Sequence, residues 1–158
     1  MAKPIAPTKI QDILKTENIL LEIKSSAKTD VLSEMASMMI GQDKVEMRAE
    51  IVGVLLDREK LGSTGIGSGV AVPHAKSVRV DRIICSLGIS KKGIEFEALD
   101  HALVHIVFLL VAPPNSQSEH LNILARIVRL LKDRVFRQAL REAKSREEIL
   151  RLIVAEDA

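Results

Sequence analysis

His74 is the residue whose type and setting best suit covalent chemistry. It follows Pro73 and the apolar run Val70, Ala71 and Val72, which reads as a short strand that the proline ends by removing a backbone donor. Just before that run, Gly62, Gly65, Gly67 and Gly69 place half of the chain's eight glycines within eight positions. Such a density marks a loop whose backbone takes unusual angles and lets other groups come close. His74 is therefore expected at the exit of a strand, held by rigid scaffold yet facing solvent. An imidazole so placed can act as a nucleophile or a proton carrier near neutral pH. Arg58, in the last turn of a predicted helix, and His120, in the first turn of another, are the polar side chains that could converge on it. Gly62, Ser63 and Thr64 add hydroxyls and backbone N–H groups expected to be free. The set suits a histidine that becomes phosphorylated. A neutral ring nitrogen attacks while the opposite N–H is held by an acceptor, and Arg58 and the second imidazole supply positive charge around the phosphoryl oxygens. If the donor is itself a phosphoimidazole, no metal is needed. A histidine that is merely structural is the alternative that spacing alone leaves open.

Other chemistries fit less well. The loop lacks the Gly-Lys-Ser/Thr ending of a P-loop, and Gly65, Gly67 and Gly69 have the wrong spacing for a dinucleotide fingerprint. His101 and His105 would suit a metal on a helix, but the run from Val104 onward reads as a strand, where residues four apart lie roughly 13 Å from each other. Ser63 and Thr64 invite comparison with hydrolase nucleophiles, yet Gly67-Ser68-Gly69 precedes a strand instead of following one.

The elements that hold these residues can be read in turn. Residues 1–8 carry two prolines and read as a loose tail. Ile10, Ile13 and Leu14 suggest a helical turn, followed by an extended run over residues 19–23. The polar stretch 25–30 opens a helix with Val31, Leu32, Met35, Met38 and Met39 on one face, stopped by Gly41. Its methionines are read as core. Asp43 with Glu46 resembles a capping box for a second helix running to about Glu59, with Met47, Ile51, Val54 and Leu55 inward. Residues 82–90 read as a strand, Lys92-Gly93 as a turn and residues 94–96 as another short strand. Residues 104–112 are almost all apolar and form a central strand buried on both faces. Ser116 or Ser118 caps a helix with Leu121, Leu124, Ile127, Val128 and Leu131 inward. Two more helices follow, one from about Asp133 with Val135, Phe136 and Leu140 inward. The other is opened by the Ser145/Glu148 capping box, with Ile149, Leu152 and Ile153 inward. Helices thus precede, separate and follow strands, which gives an α/β three-layer sandwich.

Composition narrows the function classes. At 158 residues the chain suits one domain with a sizeable core. A net charge of +2 and three phenylalanines as the only aromatics argue against nucleic acid. Cys85, the single cysteine, sits in an apolar run and reads as a buried structural thiol, with no disulfide to make. Nine Lys or Arg against four Asp or Glu over residues 126–151 make a basic C-terminal face, read as solvated. The N-terminus lacks the apolar stretch of a signal peptide and no window is long enough to span a membrane, so the chain reads as cytoplasmic.

The run Arg58-Glu-Lys-Leu-Gly-Ser-Thr-Gly-Ile-Gly-Ser-Gly-Val-Ala-Val-Pro-His74 resembles the active-site signature of the fructose/mannitol-type enzyme IIA family of the bacterial phosphotransferase system. The likeness extends to Ile94-Glu-Phe-Glu-Ala-Leu-Asp100, to the strand ending in Ala112-Pro113 and to Glu119-His120-Leu121, covering roughly residues 8–155 of a single domain over 1–158. The chain looks most like the nitrogen-regulatory branch, the IIA-Ntr type. The resemblance implies a mixed β-sheet of about five strands flanked by helices on both faces, with no cofactor or metal. It makes His74 the phosphoryl acceptor and matches Arg58 and His120 to the arginine and second histidine of the family's active site. It assigns nothing to His101 or His105. Ala75 departs from the glycine that many members carry after the histidine, but removes no chemical group.

Three functions follow. The first is a phosphoryl-accepting regulator, loaded by an HPr-like phosphocarrier or its nitrogen-branch relative NPr, whose two states bind regulatory targets differently. The second is a sugar-transport IIA that passes the group to a IIB domain. No IIB or IIC segment accompanies these residues, which favours the first. The third, a binding module that no longer turns over phosphate, is disfavoured by Arg58, His74 and His120 occurring together.

Overall fold

In the computed structural model, residues 8–41 and 43–157 are described. Of the tail expected over residues 1–8, only Thr8 falls among them. The run that is apolar almost throughout forms the central strand, and everything else is arranged around it. We label the strands β1 (Ile19–Leu20), β2 (Gly65–Gly67), β3 (Val70–Ala71), β4 (His74–Lys76), β5 (Ile84–Ile94) and β6 (Val104–Ala112). The helices are α1 (Lys28–Met39), α2 (Val45–Lys60), α3 (Gln117–Leu131), α4 (Arg134–Glu142) and α5 (Arg146–Glu156). The strand order is β1-β5-β6-β3-β2, with β4 also paired to β6. β5 runs antiparallel to β6, while β3 and β4 run parallel to it, so the sheet is mixed. Among the described residues it has six strands where about five were expected: the runs expected as separate strands over 82–90 and 94–96 join in β5, while β2 forms within the glycine-rich loop and β4 beyond Pro73.

Side chains alternate across the sheet, as the pleat requires. Ile106, Phe108 and Leu110 of β6, with Cys85, Leu87 and Ile89 of β5, pack against Ile123, Ile127, Phe136, Leu140, Ile149 and Ile153 from α3, α4 and α5. Val107, Leu109 and Val111 face the other way, onto Val31, Leu32 and Met35 of α1 and Ile51 and Leu55 of α2. Two helices on one face and three on the other make the three-layer α/β sandwich.

Several local expectations change in the folded chain. The run over 19–23 contributes only two strand residues. Lys92-Gly93 is no turn: β5 continues through it to Ile94, with an irregularity in its pairing to β6 between Ile89 and Ile94. A chain can widen its pairing by a bulge as well as reverse direction, and the dipeptide suits both. Asp43 does not cap α2, whose N-cap is Lys44 and whose first turn has no side-chain cap. On α3 the buried stripe is His120, Ile123, Ile127, Leu130 and Leu131, while Leu121 is 66% exposed. Val135 likewise points outward, leaving Phe136 and Leu140 to bury α4. The cap read from Ser145 does form, its Oγ accepting from Glu148 N at 3.1 Å, and Asp133, where the preceding helix was expected to begin, caps α4 by accepting from Val135 N at 2.9 Å.

Gly88 of β5 lies under α1, where a Cβ would come within 2.7 Å of Ile23 Cδ1 and 3.3 Å of Met35 Cε. We expect Gly88→Ala to cost about 1–3 kcal/mol in urea unfolding, since the neighbours must shift to admit the methyl. An unchanged midpoint would mean that this layer is packed more loosely than described.

Candidate functional site

The site is built where the strand beside β6 is interrupted. Val70 pairs with Ile106 and Ala71 with Val107, while His74 pairs with Leu110 and Ala75 with Val111. The offset is the same on both sides of Pro73, so β3 and β4 are one strand in register, broken at Val72-Pro73. Pro73 has no N–H to give to a ladder, but its carbonyl still accepts from Leu110 N at 2.9 Å. His74 was expected where a strand ends. It opens a further strand segment instead, which fixes its backbone on both sides.

The break also turns a carbonyl toward the ring. Val72 O lies 2.7 Å from His74 Nδ1. A carbonyl can only accept, so Nδ1 carries the proton and Nε2 keeps its lone pair. Val70, Val72 and Leu110 all pack on the α3 side of the sheet, and the His74 ring meets His120 in the first turn of α3. The two ring centroids are 5.6 Å apart, edge to face at 75°. His74 is half-buried, whereas His120 is 5% exposed and its Nε2 has no hydrogen-bond partner.

Electrostatics keeps both rings neutral. Burial holds His74 below the ordinary 6.5; the bond to Val72 works against that, Arg58 adds to it and Glu59 opposes it. His120 is pushed down to about 4, first by burial and then by the charges of His74 and Lys76. The second imidazole was expected to bring positive charge. At neutral pH it brings a hydrogen-bonding ring instead.

Arg58 comes from the last turn of α2, in the opposite helical layer, and its Nη1 donates to Gly62 O at 2.8 Å. Gly62 has a φ of 145°, which side-chain-bearing residues rarely adopt, and this turns its carbonyl toward the guanidinium. The N–H groups of the loop were expected to be free, but two are already used: Gly62 N donates to Glu59 O at 3.1 Å and Thr64 N to Glu59 Oε1 at 3.1 Å. Ser63 Oγ donates to Phe96 O and accepts from Gly65 N, both at 3.0 Å. Ser63 and Thr64 therefore brace the loop. Glu59 escaped the sequence reading. Its adjacency to Arg58 was visible, but its fixed contacts with Thr64 and Lys28 are tertiary. His101 lies in the 97–103 connection and His105 Nδ1 bonds Ser90 O at 2.8 Å; neither reaches His74.

Residues 12–156 match the family described as phosphoenolpyruvate-dependent sugar phosphotransferase system, EIIA 2. The chain is 38% identical over 140 residues to the nitrogen regulatory protein of Bradyrhizobium diazoefficiens, an alignment covering 89% of this chain and 91% of that one. It is 36% identical over 149 residues to the fructose-specific EIIABC component of Bacillus subtilis, covering 94% of this chain but only 24% of that longer protein. Among solved structures, the nitrogen regulatory protein IIA-Ntr of Neisseria meningitidis superposes with a TM-score of 0.85 at 28% identity, covering 91% of this chain and 98% of that one. The mannitol IIA of Escherichia coli shares the fold, with a TM-score of 0.71 at 24% identity over 88% and 97% of the two chains.

Because both imidazoles bind protons less readily here than in an unfolded chain, the unfolded state takes up more protons between about pH 4 and 6.5. Stability should therefore rise with pH across that window and fall as acid is added through it. We expect His120→Asn to flatten this dependence relative to the parent protein in urea unfolding at several pH values. Identical slopes for the two proteins would contradict a suppressed His120.

Proposed function

Since the chain belongs to the EIIA 2 family of the phosphoenolpyruvate-dependent sugar phosphotransferase system, we propose that it is a nitrogen-regulatory IIA whose His74 accepts a phosphoryl group from an HPr-like phosphocarrier. The observation that carries the assignment of His74 is the committed tautomer: Nδ1–H is held by Val72 O at 2.7 Å, which leaves Nε2 as the nucleophile.

The transfer is an exchange between two imidazoles. Nε2 of His74 donates its lone pair to phosphorus, and the P–N bond of the carrier breaks with its electron pair returning to the carrier's ring. The positive charge that develops on the His74 ring spreads to Nδ1–H and strengthens its bond to the Val72 carbonyl. Arg58 faces the phosphoryl oxygens as charge, and His120 as a neutral hydrogen-bond donor whose unpartnered Nε2 gains an acceptor. Once the dianion is in place it draws a proton toward His120, because a neighbouring negative charge favours the charged ring. Adding about −2 of charge beside Arg58 resets what this surface can bind, which is the basis of a regulatory switch. A sugar-transport role, passing the group to a IIB domain, is the second reading. The 36% identity to the fructose component speaks for it, while the superposition of 0.85 on IIA-Ntr against 0.71 on mannitol IIA favours regulation.

The test combines this protein, Enzyme I, an HPr-type carrier and labelled phosphoenolpyruvate. Acid-labile label should appear on the parent protein and be absent from His74→Ala. His120→Ala and Arg58→Gln should each slow uptake by about 10²–10³-fold, the usual loss of one stabilising donor. Label on His74→Ala would transfer the acceptor role elsewhere, with His120 the next residue to replace.

A further inference from the structure

Glu59 takes no part in the steps above, yet it is only 8% exposed and lies one residue from Arg58. A carboxylate this deep persists only when its oxygens are fully engaged. Here every partner is a donor. Lys28 Nζ reaches Oε1 from α1 at 3.1 Å, Thr64 N donates to the same oxygen at 3.1 Å, and Thr64 Oγ1 donates to Oε2. Lys28 is itself held over the Phe96 ring, 4.7 Å from its centre.

From Thr64 the path continues toward the reacting nitrogen. Thr64 O accepts from Val72 N at 3.0 Å, and Val72 O accepts from His74 Nδ1 at 2.7 Å. An unbroken series of contacts therefore runs from a buried ion pair to the group that fixes the His74 tautomer. The turn that ends α2 does two things at once. Arg58 is sent to the Gly62 carbonyl at the surface, while Glu59 is sent inward to anchor the loop.

We infer that Glu59, paired with Lys28, is a positioning residue of the phosphoryl-accepting site: through Thr64 and Val72 it holds the His74 ring with Nδ1 protonated and Nε2 free. This rests on His74 being the acceptor. An amide cannot replace the carboxylate fully, because one of its two polar atoms is a donor and would face donors. The charged groups around the His74 ring are Arg58 and Glu59 from α2, the titratable but neutral His120 comes from α3, and Lys28 from α1 neutralises Glu59 behind them.

The experiment uses the full chain with ¹⁵N-labelled histidine, in the parent form and as Glu59→Gln and Glu59→Ala. Long-range proton–nitrogen spectra report which His74 nitrogen carries the proton, and single-turnover uptake from a phosphorylated HPr-type carrier reports function. The parent should show the single Nδ1–H tautomer. Glu59→Ala should show a mixture of both tautomers and slow uptake roughly ten- to a hundredfold, as expected when a reacting group is misplaced by a fraction of an ångström. Glu59→Gln should fall between the two, and it carries the test if the alanine variant does not fold. A folded variant with one Nδ1–H tautomer and uptake within about twofold of the parent would overturn the positioning role. The tautomer is read without any phosphoryl donor, so the two ideas fail separately. A shifted tautomer in Glu59→Ala, with no uptake even by the parent, would uphold Glu59's hold on the His74 ring while overturning His74 as acceptor, and with it the role in phosphoryl transfer.

Discussion

The hydrogen bond from His74 Nδ1–H to the carbonyl of Val72, 2.7 Å long, is the contact on which the site depends. It exists because Pro73 interrupts a strand without changing its register. The carbonyls of Gly69 and Pro73 face β6 and accept from Ile106 and Leu110, so the Val72 carbonyl between them faces away from β6 and is open to the ring. A strand that ended at Pro73 would leave His74 on a loop, whereas here Ala75 and Lys76 continue to pair with Val111 and Ala112 of β6. Because β6 is buried almost throughout, the backbone of His74 is fixed to the packed centre of the sheet.

The layers around the sheet bring polar groups to this point from opposite sides. α3 supplies a buried, neutral His120, and α2 supplies Arg58 and Glu59 in one helical turn. Burial and Arg58 discourage protonation of His74, while the Val72 bond and Glu59 offset part of that effect. The outcome is an uncharged nucleophile beside a cation, which suits a phosphoryl group arriving with its own negative charge. In the proposed transfer the new negative charge would fall beside the Arg58 cation and the unpartnered Nε2 of His120. A site poised in this way can signal by charge alone, without a large change in shape.

Much of the architecture was legible in the sequence, for identifiable reasons. The run from Val104 to Ala112 has the length and near-continuous apolar character of a doubly buried strand, and the cap at Ser145 is local chemistry that tertiary packing does not override. Both helical layers follow from the order of elements. What failed was phase and continuation. Leu121 is apolar yet exposed, and His120 is polar yet buried, so a hydrophobicity pattern alone points α3 the wrong way by about one position. Gly93 reads equally as a turn or as an irregularity within a strand, and only the pairing of β5 with β6 decides. At the site, His74, Arg58 and His120 were marked by residue type and spacing. Glu59 and the engaged N–H groups of Gly62 and Thr64 were not, because a hydrogen bond between α2 and the loop leaves no trace in composition.

The central claim is that the Val72 carbonyl commits one ring nitrogen and so selects the other for chemistry. Nitrogen–phosphorus couplings in the ¹⁵N-histidine-labelled, phosphorylated protein test it directly, because they identify which nitrogen of His74 bears phosphorus. The account predicts phosphorus on Nε2, with Nδ1 still protonated. Phosphorus on Nδ1 would require the bond to Val72 to break before transfer, and would contradict the account.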